Sequence, residues 1–359
     1  MSPINGGSEN FYSVDFLRGI ASILILVVHY SHFFQGGGQN GAPIGTIVNV
    51  DLFELWSPIY HWGANAVQFF WLISGFVFVH VYGGRAGVSS KEFLVHRVAR
   101  LYPLHLITLF TIAFMQWVNM SHFGHYDIYY VNDTKHFFLN LAFASEWGWQ
   151  EGRSFNGPIW SVSVEIFSYG IFLLILKSIR LTIASVFLII ALAMMIYMVW
   201  NNSIVLCVIY FFSGCLVYSL LNTVRKYNSG LTLLISTIFC LLLIYTMSSN
   251  KSIPRLFLYA PMFGSVLIIG CLLEYRYGNV WLKRVRWVGN TSYGNYLWHT
   301  PIQMLFLMLV SLGFIDIDVI YGRYFLGAYM VTVITVSLLS YRFFERPMQN
   351  FVRSVRLTR

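Results

Sequence analysis

The stretch YSVDFLRGIASILILVVHYSHFF, Tyr12–Phe34, decides the fold class. An apolar run of this length forms a helix that crosses about 30 Å of hydrocarbon. A cleaved secretory signal has a basic start and a shorter apolar stretch, whereas residues 1–13 hold no Lys or Arg. The run is therefore expected to stay as a first membrane span. It also carries Asp15, Arg18 and His29, ionisable groups that are expensive in lipid, at about 2.5–3.5 kcal/mol each on insertion scales.

Similar runs recur along all 359 residues, near 12–34, 59–82, 101–120, 158–177, 181–200, 203–222, 230–248, 255–275, 291–314 and 322–342. The chain is 57% hydrophobic, 18% aromatic and only 10% charged, which excludes an ordinary soluble domain, where charged residues make up about 25%. The reading is a single all-α polytopic membrane domain over residues 1–359, a bundle of about ten transmembrane helices.

An even number of spans puts both termini on one side. The loops on that side, with the C-terminal tail, carry seventeen of the Lys and Arg residues, and the opposite loops carry five: Lys135, Arg153, Lys251, Arg255 and Arg323. By the positive-inside rule both termini are cytoplasmic. The net charge of +9 thus orients the chain and does not imply a nucleic-acid partner. The outer loops at 35–58 and 121–157 are the longest, and the second is rich in His, Trp, Tyr and acidic groups. Cys207, Cys215, Cys240 and Cys271 all lie in apolar runs without metal-ligand spacing and read as small packed residues.

Within the first span, Arg18 and His29 are eleven residues apart. At 100° and 1.5 Å per residue they point within about 20° of each other, roughly 16 Å apart. Asp15, Ser22 and His32 fall near the same stripe, so the helix presents a polar seam to the protein interior. A lone buried histidine often serves only as an interhelical hydrogen-bond partner; an aligned seam favours His29, in the outer half, as a general base. The fourth span opens with Pro158-Ile159-Trp160-Ser161 and places Glu165 one turn beyond Ser161. A carboxylate at that depth must be paired, protonated or facing water. His29, Arg18 or another cation would serve as its partner, and a structural ion pair competes with a functional role.

Gly75, after Gln68 and Ser74 in the second span, permits close helix approach, a packing role. In the ninth span Ser292, Asn295, Tyr296 and His299 share a face, with His299 toward the cytoplasmic half and so weighted below His29 as a base. Arg97 and Arg100 lie one helical turn apart before the third span, and positive-inside anchoring alone accounts for them.

Taken together, Asp15-Phe16-Leu17-Arg18-Gly19 with His29, Ser74-Gly75-Phe76, Arg97-Val98-Ala99-Arg100-Leu101-Tyr102-Pro103, Pro158-Ile159-Trp160-Ser161 with Glu165, Ser292-Tyr293 with Tyr296-Leu297 and His299, and Phe344-Glu345-Arg346-Pro347 resemble the membrane acyltransferase family 3. The order and placement of these fragments make the resemblance specific, and it covers nearly the whole chain. It implies transfer of an acetyl or other short acyl group from cytoplasmic acyl-CoA, acetyl-CoA above all, to a hydroxyl of a cell-surface or exported glycan or lipid-linked saccharide, in the inner (plasma) membrane. The family's Arg-x10-His pattern falls on Arg18 and His29, and its paired arginines fall on Arg97 and Arg100. The chain is similar to the stand-alone subgroup, without an SGNH-type domain.

Acyl transfer needs a base, an oxyanion stabiliser and a grip on a polyanionic donor. His29 suits the base and Glu165 its orienter. Arg18 suits the donor path or the electrostatic shaping of a channel. Arg97 and Arg100 suit coenzyme A phosphates, with Lys283, Arg284 and Arg286 as lesser candidates. Trp147, Trp149, Trp160, Ser161, Tyr296 and His299 are candidate substrate contacts, with Tyr126, Tyr129 and Tyr130 on the acceptor side. No metal is required. A transporter would also bury His, Glu and Arg but tends to show paired internal repeats with broken helices, which are not seen here. A flippase of a glycan assembly system would need no base.

Overall fold

The computed structural model describes residues 10–34, 47–83, 89–179, 181–226, 229–249 and 254–357. The expectations placed on Arg85, Arg180, Lys251, Arg359, the side chain of Arg356 and segment 35–46 of the first outer loop lie outside the described residues.

Among the described residues every regular element is helical. The first five α-helices are α1 (Tyr12–His29), α2 (Phe53–Trp62), α3 (Ala66–Tyr82), α4 (Ser90–Phe123) and α5 (Thr134–Leu141). Then come α6 (Trp160–Ser178), α7 (Ile183–Val199), α8 (Ser203–Val224), α9 (Ser229–Ser249) and α10 (Leu256–Tyr277). The last six are α11 (Val280–Arg284), α12 (Arg286–Asn290), α13 (Ser292–Ser311), α14 (Asp318–Tyr321), α15 (Phe325–Ser340) and α16 (Arg346–Leu357).

Among the described residues eight helical stretches are long and apolar enough to cross a membrane, so the protein is an all-α, multi-pass membrane protein. The other two expected runs are also helices. α7 is apolar but has 17 residues. α13 has 20, and its buried Asn295, His299 and Gln303 lower its hydropathy. Helix starts differ most from expectation at α4, which begins at Ser90 and runs 34 residues, about 51 Å. Arg97 and Arg100 therefore stand on the same continuous helix as the third span.

The chain divides into two compact units, Met1–Ile20 with Val67–Ser89 and Glu165–Gly289, and Ala21–Ala66 with Ser90–Val164 and Asn290–Arg359. In the first unit, glycines let α3 and α8 cross backbone against backbone. A Cβ on Gly75 would lie 1.7 Å from the Phe211 carbonyl oxygen, and one on Gly214 1.8 Å from that of Leu72. The close approach expected of Gly75 is thus present, with Gly214 as its counterpart. Cys207, Cys215, Cys240 and Cys271 are all buried and unbridged. At the start of α1, the Glu274 carboxylate accepts the Tyr12 and Ser13 N–H groups at 3.1 and 2.8 Å, partners that a helix N-terminus otherwise lacks.

In the second unit an apolar cluster of Leu26, Tyr30, Phe33, Leu109, Ile112, Met304, Leu307, Tyr329 and Val333 joins the latter half of α1 to α4, α13 and α15. After α15 the helix widens into a π turn at Tyr341–Glu345 before α16. Pro347, lacking an N–H, cannot complete the usual bond back to Phe343, and the local widening accommodates that loss.

The segment after α4 is irregular but tied down. Gln116 donates to the Asp127 carbonyl at 2.8 Å and accepts its N–H at 3.2 Å, while Asn119 donates to the Asp127 carboxylate at 2.7 Å. Burial pushes the Asp127 carboxyl up from its ordinary range, against the opposing pull of His125 and Asn119. The clamp holds Ile128 at φ 62°, a left-handed conformation costly for a β-branched side chain.

Candidate active site

The second unit gathers most of the polar residues expected to act. α13 presents Asn295, His299 and Gln303 at intervals of four, on one buried face. His299 Nδ1 lies 3.2 Å from the Asn295 carbonyl oxygen, and its Nε2 lies 2.7 Å from His29 Nδ1. A carbonyl oxygen only accepts, so His299 Nδ1 carries the hydrogen and His299 Nε2 keeps a lone pair. His29 Nδ1 therefore donates, and the lone pair of the neutral His29 imidazole is fixed on Nε2. Gln303 steadies the turn by donating to the His29 carbonyl at 2.6 Å, and Asn295 donates to Ser22 at 3.1 Å. His32 stacks on His29 with ring centroids 4.5 Å apart, and Tyr129 meets His32 edge-on.

The assigned topology places His299 toward the cytoplasmic half and His29 in the outer half, yet their rings meet at 2.7 Å. The histidine pair shows instead that the early turns of α13 lie beside the last turn of α1. The signal for His299 was present in the spacing of Asn295, His299 and Gln303; its partner was not.

A second polar group surrounds the start of α6. Tyr296 Oη donates to the Pro158 carbonyl at 2.8 Å, and Ser161 Oγ lies 2.7 Å from Tyr296 Oη. Asn156 ties the same turn to α13 through the Leu297 carbonyl at 3.0 Å. Gly157 has the Tyr129 ring against it, where a Cβ would lie 2.2 Å from a ring carbon. Burial raises the Tyr129 hydroxyl far above its ordinary pKa, so it remains a neutral phenol. Trp147 donates to the Ser163 carbonyl at 3.0 Å, and Arg153, ion-paired with Glu146, covers the Trp160 ring at 4.3 Å. Trp149 is 60% exposed, its ring centroid 6.2 Å from that of Trp147.

Arg97 and Arg100 are half-buried on α4. Arg100 lies within electrostatic reach of Glu345, a buried carboxylate on the π turn that Ser340 contacts at 3.3 Å. Glu345 stands in the Phe344-Glu345-Arg346-Pro347 motif, for which the sequence alone offers no partner.

The first unit holds Arg18 and Glu165. Arg18 pairs with Asp15 at 3.1 Å and donates to the Gly289 carbonyl at 2.9 Å. Glu165 accepts from Tyr169 at 2.7 Å. Among the described residues no cluster of His, Cys, Asp or Glu is arranged to hold a metal ion.

The histidine pair thus sits on a polar seam within a multi-pass, all-helical membrane protein. The chain belongs to the acyltransferase 3 family: residues 11–342 match its acyltransferase domain. It is similar to "Putative peptidoglycan O-acetyltransferase YrhL" of Bacillus subtilis (strain 168), 23% identical over 87% of this chain and 54% of that one. It is also similar to "Protein 2 in picA locus" of Rhizobium radiobacter, 32% identical over 29% of this chain and 45% of that one. The chain spans about half the length of these curated relatives. No solved structure matches it.

Proposed function

We propose that the protein is an integral-membrane O-acyltransferase of the plasma membrane, with both termini cytoplasmic. It moves an acetyl or other short acyl group from cytoplasmic acyl-CoA to a hydroxyl of a cell-surface or exported glycan. The observation that carries this reading is the hydrogen-bond relay from His29 through His299 to the Asn295 carbonyl, which leaves the His29 Nε2 lone pair for a substrate proton.

In the reaction, His29 Nε2 takes the proton of the sugar hydroxyl as its oxygen attacks the thioester carbonyl. The new C–O bond forms, the tetrahedral oxyanion collapses, the C–S bond breaks, and the thiolate leaves with the proton returned by His29. His299 holds the ring and stabilises the imidazolium by keeping its lone pair on His29 Nδ1–H. In this assignment His299 holds His29 Nδ1–H, and Glu165, the orienter expected from the sequence, accepts from Tyr169. Arg97 and Arg100 hold donor phosphates, Arg18 shapes the donor path, and Trp147, Trp149, Trp160, Ser161 and Tyr296 meet the acceptor.

The test is transfer of label from acetyl-CoA in membranes carrying wild type, His29→Ala or His29→Gln at matched expression. Loss of a general base costs about 10²–10⁴-fold in rate, roughly 3–5 kcal/mol. His29→Gln retains volume and a donor but no basic nitrogen, so it is expected to be as inactive as His29→Ala. Retention of most of the rate in His29→Gln would remove the base role.

A further inference from the structure

The first unit contains a groove of about 760 Å³ lined by the start of α1, the latter half of α10 and α11. Gly278 lies between α10 and α11 at φ 80°, a conformation that other residues rarely adopt, and so lets the chain turn sharply there. Beyond the turn the Trp281 ring meets Phe16 edge-on, with centroids 5.2 Å apart. Leu17, Val266, Ile269 and Leu273 continue an apolar lining. Glu274 also lines the groove, but both its carboxylate oxygens accept N–H groups at the start of α1. The interior therefore suits hydrocarbon and offers little to a polar ligand.

Three features say what fills it. On α10 the lining runs from Val266 to Tyr277, about 16 Å of helix, close to half of a hydrocarbon core about 30 Å thick. Its depth is that of one leaflet. Tyr277 and Trp281 are 73% and 58% exposed, and rings of these types settle at the boundary between hydrocarbon and headgroups. Cations gather at the same end. Arg284 lines the groove itself, while Lys283 Nζ and the Arg286 guanidinium stand 5.5 and 5.6 Å from the Tyr12 ring centroid at the start of α1. Among the described residues none of the three has a carboxylate partner. An apolar slot one leaflet deep, with unpaired cations at its headgroup end, is complementary to a phosphodiester joined to hydrocarbon chains. A soluble phosphate would use the cations and leave the slot empty, and phosphatidylcholine would set its own cation among them.

We propose that this groove is a discrete site for one anionic phospholipid, with an acyl chain along α10 and the phosphate held by Arg284, Lys283 and Arg286. The site needs only the membrane fold and stands or falls apart from acyl transfer. To test it, the full chain is placed in nanodiscs of equal parts phosphatidylcholine and phosphatidylglycerol and released into mild detergent. Native mass spectrometry then reads the lipid that stays bound. One phosphatidylglycerol per chain is expected to remain. Arg284→Gln should lower the preference for phosphatidylglycerol about fivefold, and the combination with Lys283→Gln and Arg286→Gln should lower it on the order of a hundredfold, while Arg284→Lys stays close to wild type. Leu273→Trp adds a ring within the groove from a position that is already exposed, leaves the cations in place, and should abolish retention. Arg284 is exposed, so its variants keep the test open should Leu273→Trp fail to fold. Equal retention of the two lipids, or no retained lipid, overturns the proposal. Retention that neither Arg284→Gln nor Leu273→Trp changes, in proteins with a wild-type unfolding midpoint, overturns it as well, because the lipid is then bound elsewhere on the surface. Displacement of the lipid by coenzyme A, which has no hydrocarbon chain, would give the cations to a soluble phosphate and sink it too.

Discussion

The two units solve the same problem, burying helices in a membrane protein, in opposite ways. In the first, α3 and α8 meet through Gly75 and Gly214 with carbonyls where side chains would stand, and the neighbouring cysteines and aromatics fill the space. In the second, the interior keeps His29, His299, Asn295, Gln303, Asn156 and Thr300, and several of their polar atoms, such as Asn156 Oδ1, Asn295 Oδ1 and Thr300 Oγ1, have no protein partner among the described residues. Close packing tolerates no added volume, while a polar interior tolerates no lost partner. The contrast predicts that the units fail differently when altered.

The largest effect is expected from Gly75→Ala. Its new methyl would meet the Phe211 backbone and not a flexible side chain, so one helix must move. Overpacking of this kind costs about 1–3 kcal/mol and more where backbone is struck. Thermal unfolding of detergent-solubilised protein should show it as a large drop in midpoint or a loss of folded yield. Gly270→Ala, whose nearest neighbour is the tip of Leu17 at 3.1 Å, should be far milder. Equal behaviour of the two would mean that α3 and α8 are not held backbone to backbone.

His299→Leu probes the other unit and should leave the fold but slow transfer. Without an acceptor, His29 Nδ1–H loses the partner that fixes its tautomer. Misplacement of a catalytic group costs on the order of 10²-fold, about 2.7 kcal/mol. His299→Gln offers a carbonyl in the same reach and should recover most of the rate, with the donor KM unchanged in both variants. A His299→Leu enzyme of wild-type rate would reduce the pair to a packing contact.

How much of this was legible follows from what each sequence signal measures. Hydropathy reports the cost of a residue in lipid, so the apolar runs, the polar seam of α1 and the packing role of Gly75 could be read directly. Periodicity reports direction around one helix, so Asn295 and His299 could be read onto one face, which turns to α1, while Tyr296 turns to the start of α6. Neither reports how far one helix is shifted along another, and so the partner of His29 was missed. Nor does either see the π turn that buries Glu345 near Arg100, because that turn depends on Pro347 acting within a continuous helix. The Gln116 and Asn119 clamp on Asp127 was equally hidden, since it joins a helix to an irregular segment.

A smaller, more selective effect is expected from Arg97→Gln with Arg100→Gln. Charge-assisted bonds to phosphate contribute about 1.5–3 kcal/mol each, so the apparent donor KM should rise about ten- to a hundredfold while that for the acceptor holds. Insertion is checked by the unfolding midpoint. A correctly inserted double variant with an unchanged donor KM would leave these arginines as topological anchors.

The smallest effect is expected from Lys135→Ala, and it tests whether the outer segment of the second unit rests on buried hydrogen bonds. Lys135 Nζ meets Glu151 Oε1 at 2.7 Å, but the two side chains are 50% and 70% exposed. The Lys135 hydrogen bond holds the Glu151 carboxyl below its ordinary range. A depressed carboxyl pKa contributes stability at neutral pH that is lost as pH falls through the carboxylate range, and solvent screening makes that contribution slight here. Lys135→Ala should therefore leave the unfolding midpoint and the transfer rate indistinguishable from wild type at pH 7. Gln116→Leu removes both bonds to the Asp127 backbone from a buried position and should lower the midpoint clearly, since each stranded buried group costs about 1–3 kcal/mol. If Lys135→Ala proves the more damaging of the two, surface charge and not the buried clamp holds this segment in place.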